Sequence, residues 1–454
     1  MSEAPATVAP PSLRVVQGRP RPLLSVVDGV ALVVGVVIGA AVFETPSLVA
    51  GSVGSTSGIL LVWALGGGIS VLGAFCYAEL ASAWPDAGGD YHFLTKAWGS
   101  AAGFLYAWAR IAVIQTGSIA LIAFVFGDYA SQIFRLGPQS AAIWAAIVVV
   151  ALTLLHLAGL KLSSQGQRWF VAAQLTGLGV LIVGGFLFAP AVPDPGELAT
   201  PVKPAAFGLA MVFVLLTYGG WNEAAFVSAE LRDAKRDVIR VLLVSIGIIS
   251  AIYLLLNLAM IRALGVEGMA GSSAVGADLM RRVAGDRGAT AVSLLVVAAA
   301  LASINAMIFT GARSAYALGR DFHIFSAMGQ WRRAGSVPAN ALMVQGAIIL
   351  ALIGFGAAGR NGFESMIEYT APVFWLFFLL TTLSLIRLRK VEPDRPRPFA
   401  VPLYPVTPLL FAAICGYLLY SSVAYTGAGS LVGLAVLALG LPLLWFCRRR
   451  IAIS

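Results

Sequence analysis

The chain has 454 residues, 59% of them hydrophobic and only 11% charged, with 30 Lys+Arg against 21 Asp+Glu for a formal net charge of +9. Soluble domains carry about 25% charged residues, so this chain has too few polar groups to cover a water-facing surface. Its long unbroken apolar runs also lack the alternation of a membrane β-barrel, which leaves a polytopic helical membrane protein.

Residues 1–24 are rich in Pro and Ala and read as a disordered tail, with no apolar core and cleavage site of a signal peptide. A span needs about 20 apolar residues at a rise of about 1.5 Å each. On that rule twelve spans are predicted, at 25–50, 57–84, 99–133, 140–158, 167–189, 206–230, 239–261, 289–319, 340–358, 364–386, 406–425 and 429–447. A short tail, 448–454, follows. With the N-terminus in the cytoplasm, 22 of the 30 basic residues fall in cytoplasmic segments and flanks and 7 in external ones. This asymmetry predicts an integral plasma (inner) membrane protein with both termini cytoplasmic, and it explains the positive balance without nucleic acid.

The first span contains "VVGVVIGAAVFETP" (33–46), where two glycines, two alanines, Glu44 and Pro46 interrupt a run that leucine would serve better. The sixth contains "FVLLTYGGWNE" (213–223), interrupted by Gly219 and Gly220. Each break lies in the first span of a block of five, so two repeats are expected, 25–189 and 206–386, followed by a peripheral pair of helices over 404–447. Glycine-interrupted helices at equivalent places in two halves point to a ligand site near the midplane. Unwinding frees amides that suit a carboxylate and carbonyls that suit an ammonium or another cation. The plainer reading is close helix packing, which the Gly35/Gly39 spacing also fits.

Glu44 and Glu223 each fall just after a break, and Arg110 lies about 11 residues into the third span, which at about 1.5 Å per residue places it near mid-depth. Ionisable groups at such depth face a pathway or a partner, although Arg110 can also snorkel to the surface along its stem. Glu79 and Asp128 lie nearer span ends and read as interface contacts. Ser303 is either part of a cation site or bonded to its own helix. Cys76, Cys415 and Cys447 read as packing residues. They and His92, His156 and His323 show no metal-ligand spacing, so neither metal nor cofactor is expected.

Five stretches in order resemble the amino acid–polyamine–organocation superfamily of transporters, and within it the L-type amino acid transporter-like branch. These are "VVIGAAVFETP", "YAELASAWPDAGGDYHFLTKAWG" (77–99), "TYGGWNEAAFVSAEL" (217–231), "NAMIFTGARSAYALGRD" (305–321) and "RPRPFAVPLYPVTPLLF" (395–411). The resemblance implies an all-α membrane protein with the LeuT-like fold, two inverted five-helix repeats plus two peripheral helices. It also implies alternating access to a central amino acid site. The substrate-binding positions that correspond are Val37, Ile38, Gly39, Ala40, Ala41, Leu216, Tyr218, Gly219, Gly220 and Asn222. Amides at 39–41 would hold the carboxylate; carbonyls of Val37, Leu216 and Gly219 would hold the amine. Departures from the family pattern are Ala40 and Ala41, Leu216 at an aromatic lid position, and Gln174 at a lysine of helix five. Proton coupling would then fall on a carboxylate, Glu223 first and Glu44 next. The loop 134–139 lacks the cysteine that joins heterodimeric relatives to a partner chain, so no disulfide-linked heavy chain is expected.

The chain has no HExxH, GxSxG or GxxxxGK motif, so no enzyme reading stands out. A transporter-like nutrient sensor would need a longer cytoplasmic segment than the roughly 20 residues available here. Neutral L-amino acids lead as substrates, with cationic amino acids or polyamines second. Uniport, symport and exchange all stay open.

Overall fold

A computed structural model describes residues 25–86, 88–159, 164–192, 204–223, 234–332, 337–359 and 361–451. Fifteen helices are labelled in chain order: α1 (Val26–Val37), α2 (Thr45–Val53), α3 (Thr56–Ala83), α4 (Asp90–Trp98), α5 (Ser100–Ile133), α6 (Ser140–Leu157), α7 (Ser164–Val183), α8 (Pro204–Tyr218), α9 (Ala234–Ala270), α10 (Val275–Asp321), α11 (Ala339–Ala358), α12 (Gly362–Val391), α13 (Val406–Ala424), α14 (Ala428–Ala438) and α15 (Gly440–Ile451). Among the described residues, β-structure is limited to one isolated bridge between Arg332 and Val337. The protein is an all-α membrane protein.

Nine helical stretches among the described residues are long and apolar enough to cross a bilayer, and three shorter apolar ones run Val26–Val37, Gln174–Phe188 and Ala205–Tyr218. Two of the short three are the interrupted helices. The first expected span divides into α1, a tight turn over Ala40–Phe43, and α2. The sixth stops as a regular helix at Tyr218 and continues through a turn over Trp221–Glu223; the remainder, 224–230, lies outside the described residues. Two expected spans prove to be parts of longer helices. α9 bends at Gly265 and α10 at Ala284 and Gly285, so each carries a surface segment beyond its membrane part. The polar helix α4 was not among the expected spans.

Local chemistry sets these boundaries. Ser25 and Asp28 form a reciprocal capping box that starts α1: Asp28 N–H donates to the Ser25 hydroxyl at 3.3 Å, and Ser25 N–H to the Asp28 carboxylate at 3.0 Å. Pro46 sits in the first turn of α2, where its missing N–H costs nothing, and Gly54 ends the helix at φ +69°.

Packing around the breaks depends on small residues of α3. A methyl group on Gly66 would approach Val214 to 2.5 Å and the Tyr218 ring to 2.9 Å; on Gly73 it would reach the Trp221 ring at 2.6 Å. The stretch "GGGISVLG" (66–73) thus makes a groove that seats α8 and the turn after it.

At the far end of α3, Glu79 is fully buried and bound on several sides. Arg389 of α12 donates from Nε at 2.6 Å and also from Nη2, and the Val401 amide donates at 2.7 Å. Beside it, Glu392 accepts from Lys96 at 2.7 Å and from the Trp84 indole at 3.0 Å. These contacts tie α3, α4, α12 and the segment before α13 together at one membrane face. Cys76 and Cys415 are free and buried, as packing residues; the side chain of Cys447 lies outside the described set.

Candidate functional site

The two breaks meet. Gly220 adopts φ +106°, a left-handed conformation that glycine tolerates and side chains resist. A methyl group there would lie 3.3 Å from Val36 and 3.5 Å from Val37, so the second break rests on the last turn of α1. Beside Gly39 there is room, since the nearest atom to such a methyl is the Val37 oxygen at 3.9 Å.

Each freed backbone group can be followed to its partner. The Val37 carbonyl accepts from the Gly39 amide at 2.7 Å. The Tyr253 hydroxyl, from α9, lies 3.2 Å from that same oxygen and 3.3 Å from the Thr217 carbonyl, so its one hydrogen is shared between the two breaks. The Ile38 carbonyl accepts from the side-chain amide of buried Gln174. The Leu216 carbonyl accepts from the Gly219 amide at 3.1 Å. The Phe43 carbonyl accepts from the Tyr129 hydroxyl at 2.8 Å, and that hydroxyl itself accepts from the Gly276 amide at 3.0 Å. The amides of Ala40 and Ala41 open the turn and have no helical acceptor.

Side chains complete the junction. The hydroxyls of Thr45 and Thr217 are 2.7 Å apart and buried. Tyr218 turns away from the breaks: its hydroxyl donates to the Trp63 carbonyl at 3.1 Å, and its ring packs on those of Trp63 and Tyr253. Trp221 stands edge-on to Tyr77 and Phe378, and Phe378 stacks on Phe374 with ring centres 4.3 Å apart. These rings close one side of the second break, with Phe374 near Gly219.

Of the sequence-derived positions, Val37, Ile38, Gly39, Ala40 and Ala41 lie together with Leu216, Gly219, Gly220 and buried Asn222 around this junction. Gln174 reaches it from α7. Glu44 is 3% exposed and follows Phe43, whose carbonyl meets Tyr129 of α5 next to Asp128. Arg110 lies elsewhere on α5, in the wide turn Arg110–Ile114, where its guanidinium donates to the Tyr106 hydroxyl at 3.3 Å and that hydroxyl donates to Asp90 at 3.2 Å. Ser303 is half-buried on α10. Glu223 closes the second turn, and its side chain lies outside the described set.

Sequence reasoning passed over Thr45, Thr217, Tyr129 and Tyr253. Thr45 and Thr217 stand next to the breaks inside the quoted stretches, and a hydroxyl flanking each break was a usable signal. Tyr253 had a weaker one, as the single tyrosine of its span.

An all-α membrane protein whose two interrupted helices face each other with backbone amides and carbonyls has the makings of a membrane transporter. The chain belongs to the amino acid permease family, which it matches over residues 24–441. It is 27% identical over 393 residues to the mouse b(0,+)-type amino acid transporter 1, covering 84% of this chain and 79% of that protein. It is 28% identical over 443 residues to the human large neutral amino acids transporter small subunit 2, covering 92% and 79%. With the mouse Asc-type amino acid transporter 1 it shares 27% over 434 residues, covering 92% and 80%.

Proposed function

We propose that this protein is a transporter, not an enzyme, and that it moves neutral L-amino acids across the plasma (inner) membrane by alternating access. Both termini are cytoplasmic, and no heavy chain is disulfide-linked to it. The moving parts are two inverted repeats, 25–189 and 206–386, with 404–447 as the peripheral pair. The observation that carries this reading is the junction at Tyr253, whose hydroxyl reaches carbonyls of both interrupted helices.

A zwitterion bridges such a junction. Its carboxylate takes the amides at Ala40 and Ala41, and that of Gly39 once it leaves the Val37 carbonyl, and its ammonium takes carbonyls at Val37, Leu216 and Gly219. The positive end of a helical turn favours the first contact and the freed oxygens favour the second. Leu216 already accepts one hydrogen bond and has a second lone pair to offer, while at Val37, which accepts from the Gly39 amide and the Tyr253 hydroxyl, the ammonium would take the place of the hydrogen that Tyr253 shares with Thr217. The side chains at 39–41, 216, 219 and 220 are hydrogen or hydrocarbon, which supports a substrate whose own side chain is uncharged.

Uptake and counterflow in proteoliposomes made with the purified full chain test this. Neutral L-amino acids are expected to drive counterflow, and their methyl esters to compete poorly because esterification removes the carboxylate charge. Stronger competition by lysine or a polyamine than by any neutral amino acid transfers the reading to amines. Absence of counterflow with every amino acid overturns it.

A further inference from the structure

Arg313 belongs to the stretch "NAMIFTGARSAYALGRD" on α10 and meets the last turn of α6 and the start of α11 at one cavity. Its guanidinium lies over the Phe309 ring, 3.3 Å from the ring centre, and its Nη1 donates to the Phe309 carbonyl at 3.0 Å. Among the described residues, no carboxylate pairs with it. The imidazole of His156, from α6, packs on the same ring with centres 6.0 Å apart. His156 is 4% exposed, and its Nε2 is buried with no hydrogen-bond partner. Both side chains line the cavity, which measures about 10 Å³ and is otherwise walled by Phe309, Ala312, Val337, Pro338 and Leu342. None of these residues belongs to the junction of the two breaks.

Such a space holds a single body about the size of a water. Its lining is one-sided. A guanidinium is always charged and only donates, and an imidazole carrying its hydrogen on Nε2 adds a further donor. The other side chains are hydrocarbon. A cation partly withdrawn from water without a counter-charge is costly, and an anion beside it in apolar surroundings is attracted more strongly than in water. A water would meet the hydrogen-bonding need of His156 and leave the charge of Arg313 unanswered. One turn deeper along the same three helices, Thr153 Oγ1, Asn305 Oδ1 and both polar ends of the Gln345 side chain are also buried without partners. Ordered waters among them would hydrate the inner side of an ion.

We propose that this cavity binds a halide ion, chloride or bromide, held between the Arg313 guanidinium and the Nε2 hydrogen of His156. The ion neutralises Arg313 and ties together α6, α10 and α11, whose side chains all reach the cavity. Size sets the selectivity: a halide fits a space for one water-sized body, and larger anions do not. The site is separate from the amino acid junction and stands whether or not the transport reading does.

The test is thermal unfolding of the purified full chain in a neutral detergent, first in sodium gluconate and then with chloride replacing gluconate at constant ionic strength. A ligand that binds only the folded state stabilises it by mass action, so the melting temperature is expected to rise saturably, by about 2 °C at about 0.2 M chloride. Bromide is expected to act alike and to give an anomalous diffraction peak in the cavity, and methanesulfonate to have no effect. Arg313→Gln is expected to abolish the chloride response, and His156→Phe serves as the second variant if the first fails to fold. No rise in wild type overturns the inference, as does an equal rise with methanesulfonate, which removes the size selectivity. An undiminished chloride response in a folded Arg313→Gln variant overturns it as well. A rise on adding phosphatidylglycerol with none on adding chloride gives Arg313 to a lipid headgroup instead. A bromide peak with no shift in melting marks an adventitious ion only, and the inference falls.

Discussion

The hydroxyls of Thr45 and Thr217 lie 2.7 Å apart, although 172 residues separate them in the chain. Thr217 gives its hydrogen to the Phe213 carbonyl at 2.9 Å, so Thr45 is the donor across the junction. The bond fixes α2 against α8 beside both breaks. A helix that has surrendered its own hydrogen bonds keeps its place only through such contacts.

Thr217→Val preserves shape but leaves the Thr45 hydroxyl buried with no acceptor. An unmet buried donor costs about 1–3 kcal/mol, whereas replacing both partners by apolar groups of like shape is nearly neutral. The single variant is therefore expected to melt lower than wild type, and the Thr45→Val/Thr217→Val double variant to recover most of the loss. Thermal unfolding in detergent checks this. Equal and additive losses in the two single variants remove the bond from the account.

Gly220 combines φ +106° with Val36 and Val37 close by. Gly220→Ala adds backbone strain of about 1–3 kcal/mol for a non-glycine residue in that region. Gly220→Leu adds a clash with the last turn of α1. Transport is expected to fall at least tenfold in the alanine variant and to vanish in the leucine variant, with membrane insertion and yield near normal. Counterflow normalised to purified protein is the measurement, and wild-type rates with leucine at 220 would remove the central site.

How far the site could be read in advance depended on how far its signals are local. Glycines interrupting an apolar run betray a helix break within a single stretch, so Gly39 and Gly220 were visible from the residues alone. Contacts between distant residues leave no local mark. Nothing near Phe43 says that the Tyr129 hydroxyl of α5 meets its carbonyl. Likewise Gln174 drew notice as a departure from a family lysine, yet its amide bond to Ile38 required the structure. The surface extensions of α9 and α10 were missed because hydropathy finds the membrane segment and is silent about the polar turns continued beyond it.

Gln174 satisfies the Ile38 carbonyl, which the first break strips of its helical partner. Gln174→Leu leaves that oxygen unmet, again at about 1–3 kcal/mol. A lysine keeps a donor at the end of a longer stem. Gln174→Leu is expected to lower both melting temperature and transport, and Gln174→Lys to restore part of each. If leucine changes neither, the amide is not what holds the break open.

The Glu392 carboxyl sits outside the spans, where hydrogen bonds from Lys96 and the Trp84 indole hold it below its ordinary value near 4.5. A carboxyl lowered in the folded state stabilises the fold while ionised. That contribution is fully present above the unfolded value and fades as pH falls through the lower folded value. Both partners are partly exposed, so the pair is worth under about 1 kcal/mol, less in high salt. Lys96→Met is therefore expected to melt slightly below wild type at neutral pH, with the gap closing in acid as Glu392 takes up its proton. Melting curves of both proteins at neutral and acidic pH, each in low and high salt, measure it. A gap that is the same at both pH values would assign the effect of Lys96 to packing of its stem against α12 and not to its charge.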